Sequence, residues 1–423
     1  MSVLAACPSP PPYPAPAADR PHYALTIRWT PAHDVVDGRV AIAFTPNRST
    51  SRLYLRLWPN GPYTWSRGAR LSVAGARVDS KRVRVALPNR TTLVLQRGAR
   101  AGERVNISLA WRLMLPRRPA GRLSGRGETL RLGSFFPILP WDPDHGGWAL
   151  DPATTSIAEA WTSPTADFDV RISAPRRDTI LASGDRVGPR TWHGTAIRDF
   201  ALAAGDFRTT TALVHAPDPV RVTVGVERRV RSPSPQAFRR RVDRALVELS
   251  RRYGRYPWRS FSLAVSKDIG ASGIEYPTLI FQGARSLYIA TTHETAHQWF
   301  YSLVGNDQAR DPWLDEALAT WAAGEIDGTR GYFAGFRVSP AGRGHLGSSM
   351  HYWERHMSSY FAGVYAQGVR ALLSLGPPAK VDCALRLYVA QRAYSIARPH
   401  DLVAALDEVL PGAAAKLRAY GIR

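Results

Sequence analysis

The sequence has very little cysteine, very little lysine and no long apolar run. Its 423 residues include only two cysteines, Cys7 and Cys383, which excludes a scaffold held together by several disulfides. No run of about 18 consecutive apolar residues occurs, so no helix of this chain is expected to span a bilayer. Hydrophobic residues make up 44% and aromatic residues 10% of the chain. This composition predicts a packed globular protein, long enough for two domains.

Positive charge is abundant, but nearly all of it comes from arginine. The formal net charge is +22, and the only lysines are Lys81, Lys267, Lys380 and Lys416. Such a balance could serve binding to nucleic acid or to an anionic cell envelope. The arginines are scattered rather than gathered in one stripe, and no nucleic-acid module accompanies them. We therefore attribute the charge mainly to codon composition and expect no nucleic-acid partner.

The two cysteines lie in different surroundings. Cys383 belongs to a helical pattern rich in alanine and leucine, which predicts a small buried side chain rather than a reactive thiol. Cys7 follows Leu-Ala-Ala and precedes a proline-rich stretch, an order that resembles a bacterial lipoprotein processing box. A lipid anchor at Cys7 is one interpretation, and a chance match is the other because too few residues precede it for a complete signal. If a signal segment lies upstream of Met1, the lipid-anchor interpretation places the protein in the cell envelope, extracytoplasmic and lipid-anchored. Otherwise we expect it in the cytoplasm.

The pattern of the chain changes near its middle. Residues 1–20 are predicted to form a proline-rich, disordered tether. In residues 21–220, short alternating runs are broken by Gly, Pro and Asn, which indicates an antiparallel β-sandwich or saddle domain. In residues 221–423, apolar residues mostly recur at helical spacing. The predicted class is therefore α+β, with a β domain followed by a mostly helical second domain.

A metal-binding pattern lies in the second domain, within a predicted helix at 285–304. The pentamer His293-Glu294-Thr295-Ala296-His297 places its histidines at i and i+4, on one face of the helix. Glu316 follows after 18 intervening residues and falls in the first turn of a second predicted helix, with Asp311 as its N-cap. Catalytic zinc needs three protein ligands and an open position. The spacing predicts zinc held by His293, His297 and Glu316, with Glu294 placed beside the metal as general base.

The same residues resemble the gluzincin aminopeptidase family, the group of alanyl aminopeptidases and leukotriene hydrolase. That family has His-Glu-x-x-His, then 18 residues, then Glu, and the flanking His297-Gln298-Trp299-Phe300 and Trp313-Leu314 also match. Asp315 and Ala317 stand where the family has Asn and Gly. The resemblance implies a short two-domain, bacterial-type member with a thermolysin-like catalytic domain. It also implies one zinc ion per chain and peptide substrates that lose their N-terminal residues.

Further site residues are implied by the resemblance alone. The segment Ser272-Gly273-Ile274-Glu275-Tyr276 resembles the family's substrate loop, so Gly273, Glu275 and Tyr276 are expected to bind substrate. Glu275 stands where the family glutamate binds the free amino terminus. The family's second amine anchor, from an Asp-Glu-Pro or Asp-Gln-Pro run in the β domain, is reduced here to Asp142-Pro143.

An oxyanion donor is implied in the same way. Val364-Tyr365-Ala366-Gln367-Gly368 resembles the family's Tyr-x-Lys-Gly motif, which makes Tyr365 the expected donor. Tyr360 and Tyr352 are nearby alternatives. Two other functions remain open: a zinc peptidase without strict aminopeptidase specificity, and a catalytically silent, envelope-anchored binding protein of the same fold. No oligomeric state is predicted.

Overall fold

The computed structural model describes residues 7, 9–125, 129–155, 161–288 and 290–422. A β domain precedes a mostly helical domain, so the predicted α+β architecture is confirmed. The described part of the β domain contains one short α-helix, α1 (Pro62–Ser66). Its strands are β1 (His22–Thr30), β2 (Val35–Phe44), β3 (Leu53–Arg56), β4 (Arg70–Val78), β5 (Lys81–Arg82), β6 (Val85–Asn89), β7 (Thr92–Leu95), β8 (Val105–Met114), β9 (Leu123–Ser124), β10 (Thr129–Leu132), β11 (Trp141–Asp142), β12 (Gly147–Trp148), β13 (Ala166–Ser173), β14 (Thr179–Ala182), β15 (Asp185–Gly188), β16 (Thr191–Ile197) and β17 (Leu202–Gly205).

One large sheet dominates this domain, with strand order β15-β16-β13-β1-β2-β8-β4-β5. Its neighbouring strands are antiparallel except for β1 and β13, which run parallel. Buried and exposed side chains alternate along β8, as expected where one face of a sheet covers a core. Smaller sheets, β14-β17-β10-β9 and β3-β7-β6, contribute to the same core. The observed domain is therefore a sandwich with one parallel pair.

The second domain surrounds a five-stranded sheet of order β18-β19-β20-β22-β21, with β21 at its edge. Its strands are β18 (Phe207–Ala216), β19 (Asp218–Glu227), β20 (Ser260–Ser266), β21 (Gly273–Tyr276), β22 (Leu279–Gly283), β23 (Gly305–Asn306) and β24 (Ile396–Ala397). Its helices are α2 (Pro235–Tyr253), α3 (Thr291–Ala296), α4 (Trp313–Asp327), α5 (Arg330–Gly335), α6 (Met350–Arg355), α7 (Met357–Phe361), α8 (Gln367–Leu375), α9 (Pro378–Arg392), α10 (Pro399–Val409) and α11 (Ala413–Leu417). Among the described residues, none of the helices has the length and apolarity needed to cross a membrane.

The predicted domain boundary after residue 220 is wrong. It falls inside β19, which pairs with β18 and β20 in the sheet of the second domain. The boundary therefore lies just before Phe207, where β18 begins. Strands with alternating apolar and polar residues have the same sequence pattern whichever sheet they join. The pattern therefore does not reveal that the β18–β19 hairpin belongs to the second domain.

The N-terminal segment is attached to the second domain rather than free. The hydroxyl of Tyr13 donates to the carbonyl oxygen of Arg255 at 3.1 Å, and its ring lies against Gly254. Cys7 is disulfide-bonded to Cys383 of α9, with 5.5 Å between the Cα atoms. The prediction of a disordered tether is therefore wrong from residue 9 onward. Cys383 is buried as predicted, and its sulfur is part of a disulfide. Residues 1–6 and 8 of the predicted tether lie outside the described residues.

One buried arginine joins the two domains. Arg198 follows β16 and is only 2% exposed. Its guanidinium donates to the carbonyl oxygens of Ser163 (3.1 Å), Tyr301 (2.9 Å), Ser302 (3.2 Å), Leu303 (3.3 Å) and Ser395 (2.6 Å). A Cβ added at Gly305 would come within 2.3 Å of its Cζ. The β domain thus fixes the turn that follows the histidine pentamer.

Candidate active site

Two helices carry the predicted metal ligands. His293 lies on α3, and the N–H of His297 donates to the His293 carbonyl oxygen at 3.3 Å, so both imidazoles share one face. Glu316 lies in the first turn of α4. The helix α3 is shorter than the predicted 285–304, because after Ala296 the backbone bonds change spacing and the Ser302 N–H reaches His297 at 2.9 Å. The local turn, rather than a long helix, presents the second histidine.

The predicted cap of α4 is also wrong. The helix begins at Trp313, and no side chain caps it. The carboxylate of Asp311 instead accepts a hydrogen bond from Arg398 at 3.2 Å. Burial raises the pKa of Asp311 to about 6. This aspartate therefore anchors the loop before α4, and Glu316 still occupies the predicted turn.

The three ligand atoms converge on one point. His293 Nε2 lies 3.1 Å from Glu316 Oε2 and 3.1 Å from His297 Nε2. His297 Nε2 lies 3.5 Å from Glu316 Oε2. A tetrahedral zinc ion with bonds of about 2.1 Å needs ligand atoms roughly 3.4 Å apart. The set fits a zinc ion, and the predicted ligands are brought together.

Hydrogen bonds behind the imidazoles determine which nitrogens face this point. His297 Nδ1 lies 3.0 Å from the carbonyl oxygen of Phe300, to which it can only donate, so in the neutral imidazole that a metal requires Nε2 carries the lone pair. His293 Nδ1 faces the hydroxyl of Thr320 at 3.5 Å, and that hydroxyl donates to the Glu316 carbonyl oxygen at 2.6 Å. Burial lowers the pKa of His293, which favours the neutral imidazole that a metal requires.

Glu294 lies beside the ligands, against strand β21. A Cβ added at Gly273 would come within 2.3 Å of the Glu294 Cγ and 2.5 Å of its Oε1. Only glycine therefore leaves room for this carboxylate. Burial raises the pKa of Glu294 well above its ordinary value, and the neighbouring carboxylates of Glu275 and Glu316 add to that effect. A raised pKa suits a group that must both accept and return a proton.

Glu275 reaches the same cleft from β21. It is 4% exposed, and ligand-capable atoms of Glu275, Glu294 and His297 lie within 4.8 Å of one another. The side-chain amide of Gln308 donates to Glu275 at 3.4 Å and to Asp315 at 2.8 Å. Closely spaced buried carboxylates favour a cationic partner. The cleft can therefore receive an ammonium group next to the metal ligands.

Tyr276 does not point into this cleft. Successive side chains of a strand face opposite ways, so Tyr276 leaves β21 on the side away from Glu275. Its hydroxyl accepts a hydrogen bond from Arg122 at 3.0 Å and lies 3.5 Å from the Ser134 hydroxyl, both in the β domain. Burial raises the pKa of Tyr276 to about 12. The expectation of a substrate contact is corrected: the side chain belongs to the domain interface.

Tyr365 is the best placed of the three tyrosine candidates. It lies in a π-helical turn, Ala362–Ala366, of the kind often found at functional sites. Its ring stacks on the imidazole of His293, with 5.7 Å between centroids and 20° between planes. Tyr360 contacts Tyr365 edge-on, and the Tyr352 hydroxyl already donates to a backbone carbonyl at 2.6 Å. The phenol of Tyr365 is therefore next to the metal ligands.

Some contributors to the site were missed. Thr320 lies four residues after Glu316, so helical spacing could have identified it as a supporting residue. Gln308 lies in a loop and carries no sequence signal. Arg122, from the β domain, lowers the pKa of Glu294 by its positive charge, although burial outweighs it. Asp142, considered for an amine anchor, instead accepts a hydrogen bond from Arg398 at 2.8 Å.

The fold of this chain is similar to that of solved two-domain M1 zinc metallopeptidases. The enzyme of this class from Deinococcus radiodurans aligns with a TM-score of 0.67 and 19% identity, over 100% of this chain and 98% of that one. A glutamate-to-alanine variant from the same organism, bound to a Tyr-Ser-Ala substrate, aligns over the same shares with a TM-score of 0.68 and 20% identity. A two-domain variant bound to L-arginine aligns with a TM-score of 0.68 and 19% identity, over 100% of this chain and 98% of that one.

No family model matches the sequence, and no curated protein matches it either. The likeness to the solved structures establishes the fold over the full length of the chain. It confirms the two-domain, thermolysin-like architecture that the resemblance implied.

Proposed function

We propose that this protein is a zinc-dependent metallopeptidase that removes N-terminal residues from peptides. The observation that carries the proposal is the convergence of His293, His297 and Glu316 within 3.1–3.5 Å, with Glu294 beside them. The neighbouring structures support it, because they are zinc metallopeptidases bound to single amino acids or to a tripeptide substrate.

Each group of the cleft has a distinct task in this reaction. His293, His297 and Glu316 would hold a zinc ion, which would supply Lewis-acid polarisation of the scissile carbonyl and of water. Glu294 takes a proton from the attacking water and returns it to the leaving amine. The hydroxyl of Tyr365 donates to the developing oxyanion. The free edge of β21 lets an extended substrate pair with the backbone, and Glu275 binds its terminal ammonium.

The step from peptidase to aminopeptidase depends on Glu275. Glu275→Gln keeps the shape and removes the charge that would hold the ammonium. We expect kcat/KM for peptides with a free amino terminus to fall about 10- to 100-fold, since a charge-assisted hydrogen bond contributes about 1.5–3 kcal/mol. Cleavage of matched acetylated peptides should remain negligible in both proteins.

Steady-state kinetics on paired free and acetylated peptides checks this prediction. Glu408→Gln, an exposed glutamate on α10, is the matched control and should leave both substrates unaffected. If the unaltered protein cleaves acetylated peptides as well as free ones, Glu275 does not bind the amine. The alternative of a peptidase without strict aminopeptidase specificity would then hold, and the zinc site would be unaffected.

We also propose an extracytoplasmic location. The disulfide between Cys7 and Cys383 supports it, because disulfides persist in oxidising compartments and are rare in the cytosol. A sulfur in a disulfide cannot carry a lipid thioether, so the anchor and the disulfide are alternative states of Cys7. Mass spectrometry of the natively produced, unreduced protein should find the two cysteine peptides linked. Two free thiols would contradict the location, and a lipidated Cys7 would contradict the disulfide.

A further inference from the structure

A second group of metal-ligating side chains lies outside the cleft. His145 follows β11 in the hairpin that leads to β12, and His400 and Asp401 lie in the first turn of α10. One potential ligand atom from each lies within 4.8 Å of the other two. The group therefore draws one imidazole from the β domain and two further ligands from the second domain.

We propose that His145, His400 and Asp401 form a second metal site, selective for zinc-like divalent transition metals, which joins the two domains. Two imidazoles and one carboxylate favour zinc, cobalt or nickel over calcium or magnesium, which prefer oxygen ligands. Three protein ligands leave room for water to complete the coordination.

The distances require only a small adjustment. His400 Nε2 already lies 3.4 Å from Asp401 Oδ1, the separation that two ligands of one tetrahedral zinc ion need. The rings of His145 and His400 are 6.0 Å apart between centroids. The His400 side chain is 72% exposed, so it can rotate towards His145 without disturbing the core.

Neighbouring side chains position the other two candidate ligands, His145 and Asp401. His145 Nδ1 is buried, makes no well-formed hydrogen bond within the described part of the chain, and lies 3.3 Å from Asp142 Oδ1. A carboxylate behind an imidazole is the arrangement that commonly orients a histidine ligand. Asp401 Oδ2 accepts the Arg398 N–H at 2.8 Å and contacts Arg392 at 3.2 Å, so Oδ1 is the oxygen near His400. The site thus has support of its own, apart from the catalytic ligands.

A metal bound here would connect the β11–β12 hairpin to the start of α10. Because the unfolded chain does not bring these side chains together, binding would stabilise the folded, docked state by mass action. The expected role is structural, and the peptidase reaction does not need it.

The test is a zinc count per chain combined with thermal unfolding. Unaltered protein should bind two zinc ions at micromolar zinc, and His145→Ala or His400→Ala should each bind one while keeping full peptidase activity. His297→Ala, which lacks a catalytic ligand, should lose activity and still bind one zinc. In that background, zinc should raise the melting temperature by a few degrees, and adding His400→Ala should abolish both the binding and the shift.

His215→Ala is the matched control, because His215 is exposed on β18 and belongs to none of the metal-ligating groups among the described residues. It should still bind two zinc ions. A single zinc in the unaltered protein would overturn the proposal, as would two in His400→Ala. So would a second zinc that binds only at millimolar concentration. Failure of the peptidase proposal would appear separately, as absence of hydrolysis with the zinc count unchanged.

Discussion

Replacing Glu294 by glutamine is expected to lower kcat by about 10²- to 10⁴-fold, the contribution of a positioned general acid–base. The amide keeps the size of the side chain and its packing against Gly273, where a Cβ would come within 2.3 Å. It cannot accept the proton of the attacking water. Zinc content should equal that of the unaltered protein, because Glu294 is not one of the three ligands. Kinetics on fluorogenic aminoacyl substrates, with zinc measured on the same samples, checks both expectations.

The control is Glu325→Gln, which makes the same chemical change at a partly exposed position of α4. Its kcat should be unchanged within a factor of about two. A Glu294→Gln protein that keeps more than a tenth of its activity would remove the proposed base. One that loses its zinc together with its activity would make Glu294 a ligand.

Arg198→Ala is expected to cause the largest loss of stability. It removes a buried guanidinium that donates to five backbone carbonyl oxygens. The carbonyl oxygens of Leu303 and Ser395 keep a backbone N–H donor, at 2.7 and 2.9 Å, and the other three lose the only donor that the described residues give them. Carbonyl groups left buried without a donor cost about 1–3 kcal/mol each, so a total loss above about 3 kcal/mol is expected. For domains of this size that corresponds to roughly 6–12 °C in Tm. Thermal unfolding followed by circular dichroism measures it.

Arg190→Ala provides the comparison. Arg190 also donates to backbone carbonyls, those of Ala174, Pro175 and Arg176, but at a partly exposed position within the β domain. Its loss should lower Tm by no more than about 3 °C, because water can replace those bonds. Equal losses in the two variants would show that Arg198 has no special part in joining the domains. Arg198→Lys gives an intermediate if the alanine form does not fold.

The convergence of the candidate metal ligands could be predicted because the sequence signals for it are local. His293 and His297 follow from helical spacing, and Glu316 from its place at the start of the next helix. The predicted helix is too long, because the change after Ala296 from regular helical hydrogen bonds to tighter and then wider ones is not signalled by residue type. The sequence therefore predicts which side chains converge, but not the backbone conformation that positions them.

Strand alternation would have separated Glu275 from Tyr276. The family motif named both as substrate contacts, although neighbours on a strand face opposite ways. The structure follows the physical rule: Glu275 faces the cleft and Tyr276 contacts Arg122. A sequence motif specifies which residues are present, whereas the geometry of the strand determines which of their side chains can contact the same ligand.

Other contributors depend on contacts between distant parts of the chain. Gln308 meets Glu275 across 33 positions, and Arg198 meets Ser395 across 197. Tyr13 packs near Arg255 across 242 positions. Composition and periodicity describe only neighbours along the chain, so one sequence could not predict these partners.

The buried carboxyl groups of the cleft give it a polarity opposite to that of the molecule as a whole. Glu275, Glu294, Asp315 and Glu316 are gathered there, within a chain whose formal net charge is +22. A free peptide is itself a dipole, with an ammonium at one end and a carboxylate at the other. Under the proposed aminopeptidase function, we expect the acidic interior to attract the ammonium and the arginine-rich exterior to attract the carboxylate. We therefore expect charge to favour entry of a peptide with its amino terminus first, before any side chain is recognised.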